Sequence, residues 1–262
     1  MPTVLVTGAS SGIGYETARQ LANDGATVIV HARTAHLASS TVDRLARTGV
    51  PAARLRALGA DFTRLDEVAS MACEVAHLDV LVNNAATAGP ETATFTEDGN
   101  EITFQVNYLA PFLLTRLLDD ALSPEGRVVN VSSTLHRAGH LSWNDLNRRR
   151  RYQRGAAYAQ SKLALTMFTR ALAEFGPSGR TAVSVHPGVI DTDMLPAYSF
   201  RGRPASDGAV PVTHLCFTRT GFVNGAYYDG RLPAKAAPSV DDPQVVERLW
   251  RLSERLTLQT VK

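Results

Sequence analysis

Lysine is nearly missing from this chain of 262 residues: only three of its 27 basic residues, Lys162, Lys235 and Lys262, are lysines. The net charge is +2, because 25 acidic residues almost balance the basic ones. Such a balance argues against nucleic acid or an acidic membrane surface as an obligate partner. Arginine is the ordinary base of this sequence, so the position of Lys162 needs a specific reason.

Cysteine, metal-ligand patterns and long apolar runs are also scarce. The two cysteines, Cys73 and Cys216, lie in apolar helix-like stretches, which predicts buried thiols in a reducing compartment. The seven histidines show no metal-ligand spacing, so no metal site is predicted. There is no signal peptide and no apolar run of about 18 residues, and a strand already begins at Thr3. We therefore expect a cytoplasmic protein that does not use a membrane.

A glycine-rich turn follows the first predicted strand, Thr3–Val6. The turn contains Gly8, Ser10, Ser11, Gly12, Ile13 and Gly14, and a helical pattern continues from it to Asn23. Strand, glycine-rich turn and helix are the layout of a dinucleotide site, in which the helix N-terminus receives the pyrophosphate. The spacing is Gly-x-x-x-Gly-x-Gly rather than the general Gly-x-Gly-x-x-Gly. Its position straight after a strand nevertheless predicts nucleotide binding.

The end of the second strand carries a clue to the type of nucleotide. An acidic residue here would hold a ribose 2′-hydroxyl, but Ala32 and Arg33 offer no carboxylate and one guanidinium. A guanidinium suits a 2′-phosphate, which favours NADP(H). The alternative is an ordinary solvated arginine at a strand end.

Strands and helices alternate without repeats, low-complexity tracts or a linker, which predicts one doubly wound α/β domain over residues 1–262. The third and fourth strands are predicted to end at Asp61-Phe62 and at Asn83-Asn84-Ala85-Ala86, and the fifth ends at Ser133. The sixth leads into Pro187-Gly188. Ligands bind at the carboxyl ends of strands in open α/β sheets, so these residues are candidates for one site.

A long helix is predicted from Asp98 to about Leu122, with Asn107 in its middle and Pro111 behind it. Proline inside a helix removes a backbone hydrogen bond. This disturbed helix with an inward asparagine is either functional or simply kinked.

The helix predicted from Ala156 to Phe175 carries Tyr158 and Lys162, which share one face because they are four residues apart. An ammonium beside a phenol favours the phenolate and lowers the pKa of the tyrosine. The pair therefore suits proton transfer to or from a carbonyl or alcohol. A lone Tyr-x-x-x-Lys is also common on ordinary helix surfaces, so its meaning depends on the other motifs.

Two irregular segments flank this helix and the sixth strand. The loop 134–155 contains His140, Trp143 and the run Arg148 to Arg151, which is either a solvated face or a landing patch for an anionic substrate or acidic carrier protein. Residues 193–205 lack periodicity and are predicted to form a mobile lid.

Taken in order, these motifs resemble the short-chain dehydrogenase/reductase family, and the likeness covers nearly the whole chain. The matching residues are Gly8, Gly12, Gly14, Asp61, Asn83-Asn84-Ala85, Asn107, Ser133, Tyr158, Lys162, Pro187-Gly188 and Thr192. Further stretches, such as Arg127 to Ser133 followed by His136, resemble the branch of retinol dehydrogenases and protochlorophyllide reductases.

The resemblance implies a Rossmann-type domain with a seven-stranded parallel sheet flanked by helices, NADP(H) as cofactor, and a homodimer or homotetramer. It implies a catalytic tetrad of Asn107, Ser133, Tyr158 and Lys162. The implied cofactor contacts are Gly8, Ser10, Ser11, Gly12, Ile13, Gly14, Arg33, Asp61, Phe62, Asn84, Ala85, Tyr158, Lys162, Pro187, Gly188, Val189 and Thr192. Loop position adds candidate substrate contacts at His140, Trp143, Met194 and Tyr198, beside Ser133 and Tyr158.

In this family pattern Tyr158 donates a proton to the substrate oxygen or accepts one from it, and Ser133 forms a hydrogen bond with that oxygen. Lys162 lowers the pKa of Tyr158 and holds the nicotinamide ribose, while Asn107 positions a water that links Lys162 to solvent. The expected substrate is a moderately large, apolar small-molecule ketone, aldehyde or alcohol. Because the arginine-rich composition is typical of a GC-rich bacterial genome, a tailoring step on a polyketide-like or terpenoid compound is one option.

Three departures from the family pattern are visible. Ala86 stands where glycine is usual, Leu165 replaces the asparagine of the branch, and the segment after Thr192 is short. We hypothesise a more open cleft that accepts bulky substrates. Two other functions stay open: epimerisation, dehydration or double-bond reduction at the same site, and a non-catalytic NADP(H)-binding regulator.

Overall fold

Eight strands form one sheet, in the order β3-β2-β1-β4-β5-β6-β7-β8, in the computed structural model, which describes residues 1–191 and 202–257. The strands are β1 (Thr3–Val6), β2 (Thr27–Ala32), β3 (Leu55–Gly59), β4 (Leu78–Asn83), β5 (Leu122–Val131), β6 (Thr181–His186), β7 (Tyr227–Asp229) and β8 (Leu232–Ala234). The first seven run parallel, and β8 pairs antiparallel with β7.

Helices cover both faces of this sheet. They are α1 (Gly12–Asn23), α2 (Ala35–Arg47), α3 (Leu65–Cys73), α4 (Ile102–Phe104), α5 (Ala110–Leu117), α6 (Arg154–Phe175), α7 (Ala205–Phe217) and α8 (Pro243–Thr257), with a π-helical turn at Gln105–Leu109 between α4 and α5. One core joins the sheet to α1, α2 and α7, and a second joins its other face to α3 and α5. A third core lies among α5, α6 and α8.

The strand order reverses between β1 and β4. The chain that follows β1 builds the sheet outward through β2 and β3, and the chain that follows β4 builds it in the opposite direction through β5 and β6. The crevice at such a switch point is where open α/β sheets bind ligands. Thr7 follows β1 and Asn84 follows β4 at this point. The topology therefore places the glycine-rich turn beside the small residues 84–86.

The predicted seven parallel strands are confirmed, and β8 adds an eighth that the sequence did not reveal. Asp229 pairs with Leu232 across a tight hairpin at Gly230-Arg231. β8 has only three residues and includes Pro233, which the ladder tolerates at a sheet edge. Such a segment is too short to produce a periodic pattern.

The bounds predicted for the long helix, 98 to 122, were wrong at both ends. The helical segment begins at Ile102, because the Glu101 carboxylate accepts the backbone N–H groups of Thr103 and Phe104 as an N-cap. It ends at Leu117, and β5 already begins at Leu122.

Burial within one chain explains the apolar breadth of α6. All thirteen residues from Ala157 to Thr169 are buried, and those from Leu163 to Leu165, with Met167 and Phe168, belong to the core shared with α5 and α8. Trp250 of α8 packs edge-on against Phe112 of α5 and at a tilt against Phe168 of α6, with ring centroids at 5.3 and 5.9 Å. The helix therefore gives no separate support for a homodimer or homotetramer, which stays a prediction from the family resemblance.

The prediction of two buried cysteines was right for Cys216 and wrong for Cys73. Cys216 is buried in α7, and burial raises the pKa of its thiol to about 12. Cys73 is exposed, because it ends α3 on the side that faces away from the sheet. Across residues 1–191 and 202–257, no helix combines the length and apolarity that crossing a membrane requires.

Candidate active site

Two polar residues fasten the glycine-rich turn to the end of β4. The Thr7 hydroxyl accepts the backbone N–H groups of Asn84 and Ala85 at 2.9 and 3.0 Å. The Asn84 side-chain amide donates to the carbonyls of Thr7 and Gly8 at 2.8 and 3.1 Å. Asn84, predicted as a cofactor contact, therefore holds the shape of the turn, and its amide protons are already used.

The glycines of this turn leave no room for a side chain. Gly8 and Gly12 have φ of +63° and +55°, a conformation that favours glycine. A Cβ on Gly8 would lie 2.7 Å from the Ala85 Cα, and one on Gly14 would lie 2.3 Å from the Gly8 carbonyl oxygen. The Ser11 side chain makes no cap bond to α1, so the first N–H groups of the helix are left for another acceptor. These features fit a dinucleotide pyrophosphate.

We expect Gly14→Ala to weaken nucleotide binding by at least tenfold and to destabilise the fold by about 1–3 kcal/mol, because the added methyl collides with the turn backbone. Isothermal titration with NADPH and urea unfolding would measure both effects. Gly155→Ala is the matched control, since a Cβ there meets nothing within 4 Å. Equal nucleotide affinity in the two variants would contradict this account of the turn.

His31 of β2 supports the glycine-rich turn, a role that the sequence analysis did not predict. Its Nδ1 accepts the Gly8 N–H at 3.0 Å, and its Nε2 lies 3.0 Å from the Ala60 carbonyl, which it reaches as a donor in the neutral tautomer. Burial lowers the pKa of His31 to about 4, so the ring is neutral at pH 7. Phe62 stacks on it with a centroid distance of 4.6 Å and is only 4% exposed. Phe62, predicted as a cofactor contact, thus has a packing role. The sequence feature that could have indicated the role of His31 is a histidine inside an otherwise apolar strand.

Two arginines lie at the edge of the turn. Arg33 is exposed directly after β2, as predicted. Arg44 on α2 donates to the Ser10 carbonyl at 2.9 Å, and its guanidinium lies 4.7 Å from the centroid of the Tyr15 ring. The contact between Arg44 and the turn depends on how α2 packs, so no motif in the sequence indicated it.

The remaining predicted cofactor residues lie at neighbouring strand ends. One Asp61 carboxylate oxygen accepts the backbone N–H and the hydroxyl of Thr63, which fixes the side chain at the end of β3. Gly188 has φ of +103° after β6, and Val189 is 44% exposed. Asp191 and Arg203 are joined by a backbone hydrogen bond, so the chain leaves and re-enters this end of the sheet at one place. Thr192, Met194, Tyr198 and most of the predicted lid lie outside the described residues.

Asn107 is fully buried inside the π-helical turn, so the predicted disturbance of the helix is present. Its side chain exchanges two hydrogen bonds with the Thr87 backbone, at 2.8 and 2.9 Å, and donates to the Ser161 hydroxyl at 3.0 Å. Both amide protons are thereby used. In a regular α-helix the Asn107 carbonyl would accept the N–H of residue 111, but Pro111 has none. Pro111 thus removes the donor that this carbonyl would meet in a regular α-helix.

Ser133 lies where β5 meets α6. The Ser132 hydroxyl contacts the Thr166 hydroxyl at 2.8 Å, which ties the strand end to this helix. The Ser133 hydroxyl accepts the Leu135 N–H at 3.2 Å, and Nδ1 of the buried His136 lies 2.6 Å from the Ser133 carbonyl. His136 also accepts the Ala237 N–H at 3.2 Å through Nε2. Ser133 is thus held from both its side chain and its backbone.

Tyr158 and Lys162 share one face of α6, as predicted, and both are buried. The Lys162 ammonium lies 5.7 Å from the centroid of the Tyr158 ring and donates to the Val131 carbonyl at 2.8 Å. Burial lowers the pKa of Lys162 to about 7. The charge that favours the tyrosinate is therefore itself close to titrating at neutral pH, which the sequence could not show.

Comparison with known proteins identifies the chain. The family model for short chain dehydrogenases matches residues 2–200. This chain belongs to the short-chain dehydrogenase family. Retinol dehydrogenase 13 of Mus musculus is 38% identical over 280 residues, covering 97% of this chain and 83% of the mouse protein. The chain is thus a family member of the retinol dehydrogenase-like branch, an oxidoreductase that acts on CH–OH or C=O groups.

Two solved structures agree with this assignment. A crystal structure of an uncharacterized protein from Mycobacterium paratuberculosis has a TM-score of 0.83 and 33% identity, covering 98% of this chain and 94% of the other. A short chain dehydrogenase from Burkholderia cenocepacia in complex with NADP has a TM-score of 0.67 and 30% identity, covering 86% and 94%. The fold and the family are therefore shared along almost the whole chain.

Two of the predicted substrate residues, His140 and Trp143, have different surroundings in this short-chain dehydrogenase. His140 is exposed, and its carbonyl accepts from Arg148 at 3.3 Å. Trp143 packs on the core of α6 and α8, with the Arg248 guanidinium 4.2 Å from its ring centroid. These contacts give Trp143 a packing role that competes with the predicted substrate role.

Proposed function

We propose that this short-chain dehydrogenase is an NADP(H)-dependent enzyme that interconverts a ketone or aldehyde and an alcohol. One observation carries the proposal: a buried lysine lies beside a buried tyrosine on α6, bonded to the end of β5, at the same sheet end as the glycine-rich turn. General acid–base work on a substrate oxygen needs this combination of a proton donor and a neighbouring charge.

Each residue of the proposed tetrad has a separate task. Tyr158 gives or takes the proton of the substrate oxygen, and the Ser133 hydroxyl stabilises the charge that develops there. Lys162, when protonated, favours the ionised form of Tyr158. Asn107 holds the loop at Thr87 with its side chain and offers its carbonyl to a water. The bound nicotinamide would supply or accept the hydride, and the turn from Gly8 to Gly14 would hold its pyrophosphate.

The choice of NADP(H) over NAD(H) rests on charge at the end of β2. Arg33 is exposed there, Arg44 contacts the Ser10 carbonyl, and the segment 32–35 contains no carboxylate. A 2′-phosphate would meet two guanidiniums, and charge-assisted hydrogen bonds of this kind contribute about 1.5–3 kcal/mol each. The NADP complex of the Burkholderia relative supports the same choice.

The experiment is a titration of NADPH and NADH into the wild type and into Arg33→Ala and Arg44→Ala. We expect tighter binding of NADPH, a loss of about 10-fold to 100-fold for NADPH in each variant, and little change for NADH. Arg47→Ala is the matched control, because Arg47 lies one turn after Arg44 and, among the described residues, its side chain bonds only to the Asp43 carbonyl. A wild type that prefers NADH would overturn the proposed role of Arg33.

The proposed substrate is a moderately large and apolar small molecule. Retinol, for which the mouse relative is named, belongs to this class of alcohol. Turnover of a small panel of carbonyl compounds, graded by size and polarity and monitored through NADPH oxidation, would test this substrate class. Faster turnover of small hydrophilic aldehydes would contradict the proposal.

A further inference from the structure

A cavity of about 820 Å³ lies at the N-terminal end of α6, apart from the residues of the proposed tetrad. Its lining includes Asp145, Arg148, Arg150, Arg151, Tyr152 and Gln153. Three guanidiniums and one carboxylate give this wall an excess of positive charge. The sequence left open whether the arginine run is a solvated face or an anion site; Arg150 and Arg151 are exposed, and Arg148 is partly buried.

Arg148, Arg150 and Arg151 line the cavity, and within the described residues only Arg148 donates a side-chain hydrogen bond, to the His140 carbonyl at 3.3 Å. The Asp145 carboxylate accepts the backbone N–H groups of Arg149 and Arg150, at 2.8 and 3.0 Å, and these bonds together with the charges of Arg150 and Arg148 lower its pKa. Within residues 1–191 and 202–257, the guanidiniums of Arg150 and Arg151 make neither a hydrogen bond nor a salt bridge. Arg149, which does not line the cavity, donates to the Gly99 carbonyl and lies over the Phe95 ring.

Arg148 is strained in its backbone and incompletely paired in its side chain. Its φ of +47° is the only positive value found for a non-glycine residue in the described part of the chain. This region is unfavourable for an L-residue, because its Cβ comes too close to the following carbonyl oxygen. Its Nε is buried without an acceptor, although buried donors are normally paired. Asparagine or glycine would adopt the same backbone conformation with less strain. We therefore infer that arginine stands at position 148 because its side chain has a role.

We propose that this cavity binds a phosphate or pyrophosphate group of a small molecule through Arg148, Arg150 and Arg151. Planar guanidiniums match phosphate oxygens in a bidentate manner, and Gln153 adds a neutral donor to the lining. A single carboxylate, with two oxygens, would leave most of these donors unused.

The cavity lies within reach of the catalytic helix face. Gln153 directly precedes α6, and Tyr158 is five residues further, a rise of about 7.5 Å along the axis. A phosphate on the tail of the substrate and a separate phosphate-bearing ligand share the chemistry that the arginines recognise. The proposal itself requires only anion binding and so does not depend on the proposed reaction.

The test is calorimetric titration of sodium pyrophosphate at constant ionic strength into protein already saturated with NADP⁺, so that the glycine-rich turn is occupied. We expect saturable binding that weakens at least tenfold in Arg150→Gln/Arg151→Gln and in Arg148→Asn. Arg148→Asn should unfold at an equal or higher temperature, because asparagine tolerates the positive φ. Arg149→Gln, the matched control, should change affinity less than twofold.

Absence of saturable binding in the wild type would overturn the proposal, as would an equal loss in Arg149→Gln, which would indicate a general charge effect. A failure of NADP⁺ to bind would appear in the same instrument before pyrophosphate is added, so the two failures are distinguishable. Where pyrophosphate binds, a rise in KM for the carbonyl substrate assigns the site to the substrate tail. An unchanged KM assigns it to a separate ligand.

Discussion

Replacement of Tyr158 by phenylalanine is expected to lower kcat by about 100-fold to 10,000-fold, the range that a positioned general acid contributes. Only the hydroxyl is removed, and the ring remains in its buried place on α6 beside Lys162. Affinity for NADPH should therefore change little, and the variant should stay folded. NADPH oxidation at saturating carbonyl substrate, together with a fluorescence titration of NADPH, measures the two quantities separately.

The matched control is Tyr227→Phe, which deletes a phenol hydroxyl that is buried and has no hydrogen-bond partner in the described part of the chain. This variant should keep the kcat of the wild type. A Tyr158→Phe enzyme that retained more than a tenth of the wild-type kcat would show that another group donates the proton. Tight NADPH binding without turnover of any carbonyl by the wild type would instead favour a non-catalytic regulator.

The sequence predicted those parts of the site that depend on local pattern. The glycine-rich turn follows β1 and opens α1, and Tyr158 and Lys162 share a helix face, because both arrangements follow from the spacing of residues along one or two elements. The resemblance to the family added Asn107 and Ser133, which lie far apart in the chain. Asn107 is indeed in a disturbed helix, for which Pro111 was the visible cause.

Long-range packing could not be predicted in the same way. His31 bonds to Gly8 and Arg44 bonds to Ser10 only because β2 and α2 lie beside the turn in the folded chain. The short antiparallel β8 and the exposed position of Cys73 likewise depend on neighbours rather than on spacing. The lowered pKa of Lys162 is a result of burial by β5 and α6 together. These are the features on which cofactor choice and pH dependence rest.

Replacement of Lys162 by methionine is expected to abolish most turnover and, at the same time, to stabilise the fold. Burial lowers the pKa of Lys162 from 10.5 to about 7, so the folded chain holds the proton less well than the unfolded chain. At about 1.4 kcal/mol per pH unit, this opposes folding by at most about 5 kcal/mol. Loss of the hydrogen bond to the Val131 carbonyl reduces the stabilisation expected for the methionine variant by about 1–3 kcal/mol. A net gain of about 2 kcal/mol is expected below pH 7.

The pH dependence provides the decisive test of this prediction. Since the pKa is lowered on folding, the cost is complete below about pH 7 and disappears as pH rises towards 10.5. Urea unfolding without added nucleotide should therefore show a large advantage of Lys162→Met at pH 6.5 and a small one at pH 9.5. Lys235→Met, at an exposed lysine, should stay within about 0.5 kcal/mol of the wild type at both pH values. A Lys162→Met protein less stable than the wild type at pH 6.5 would show that the buried ammonium carries no such cost; a more stable but inactive one would show that this chain gives up stability to keep a charge beside Tyr158.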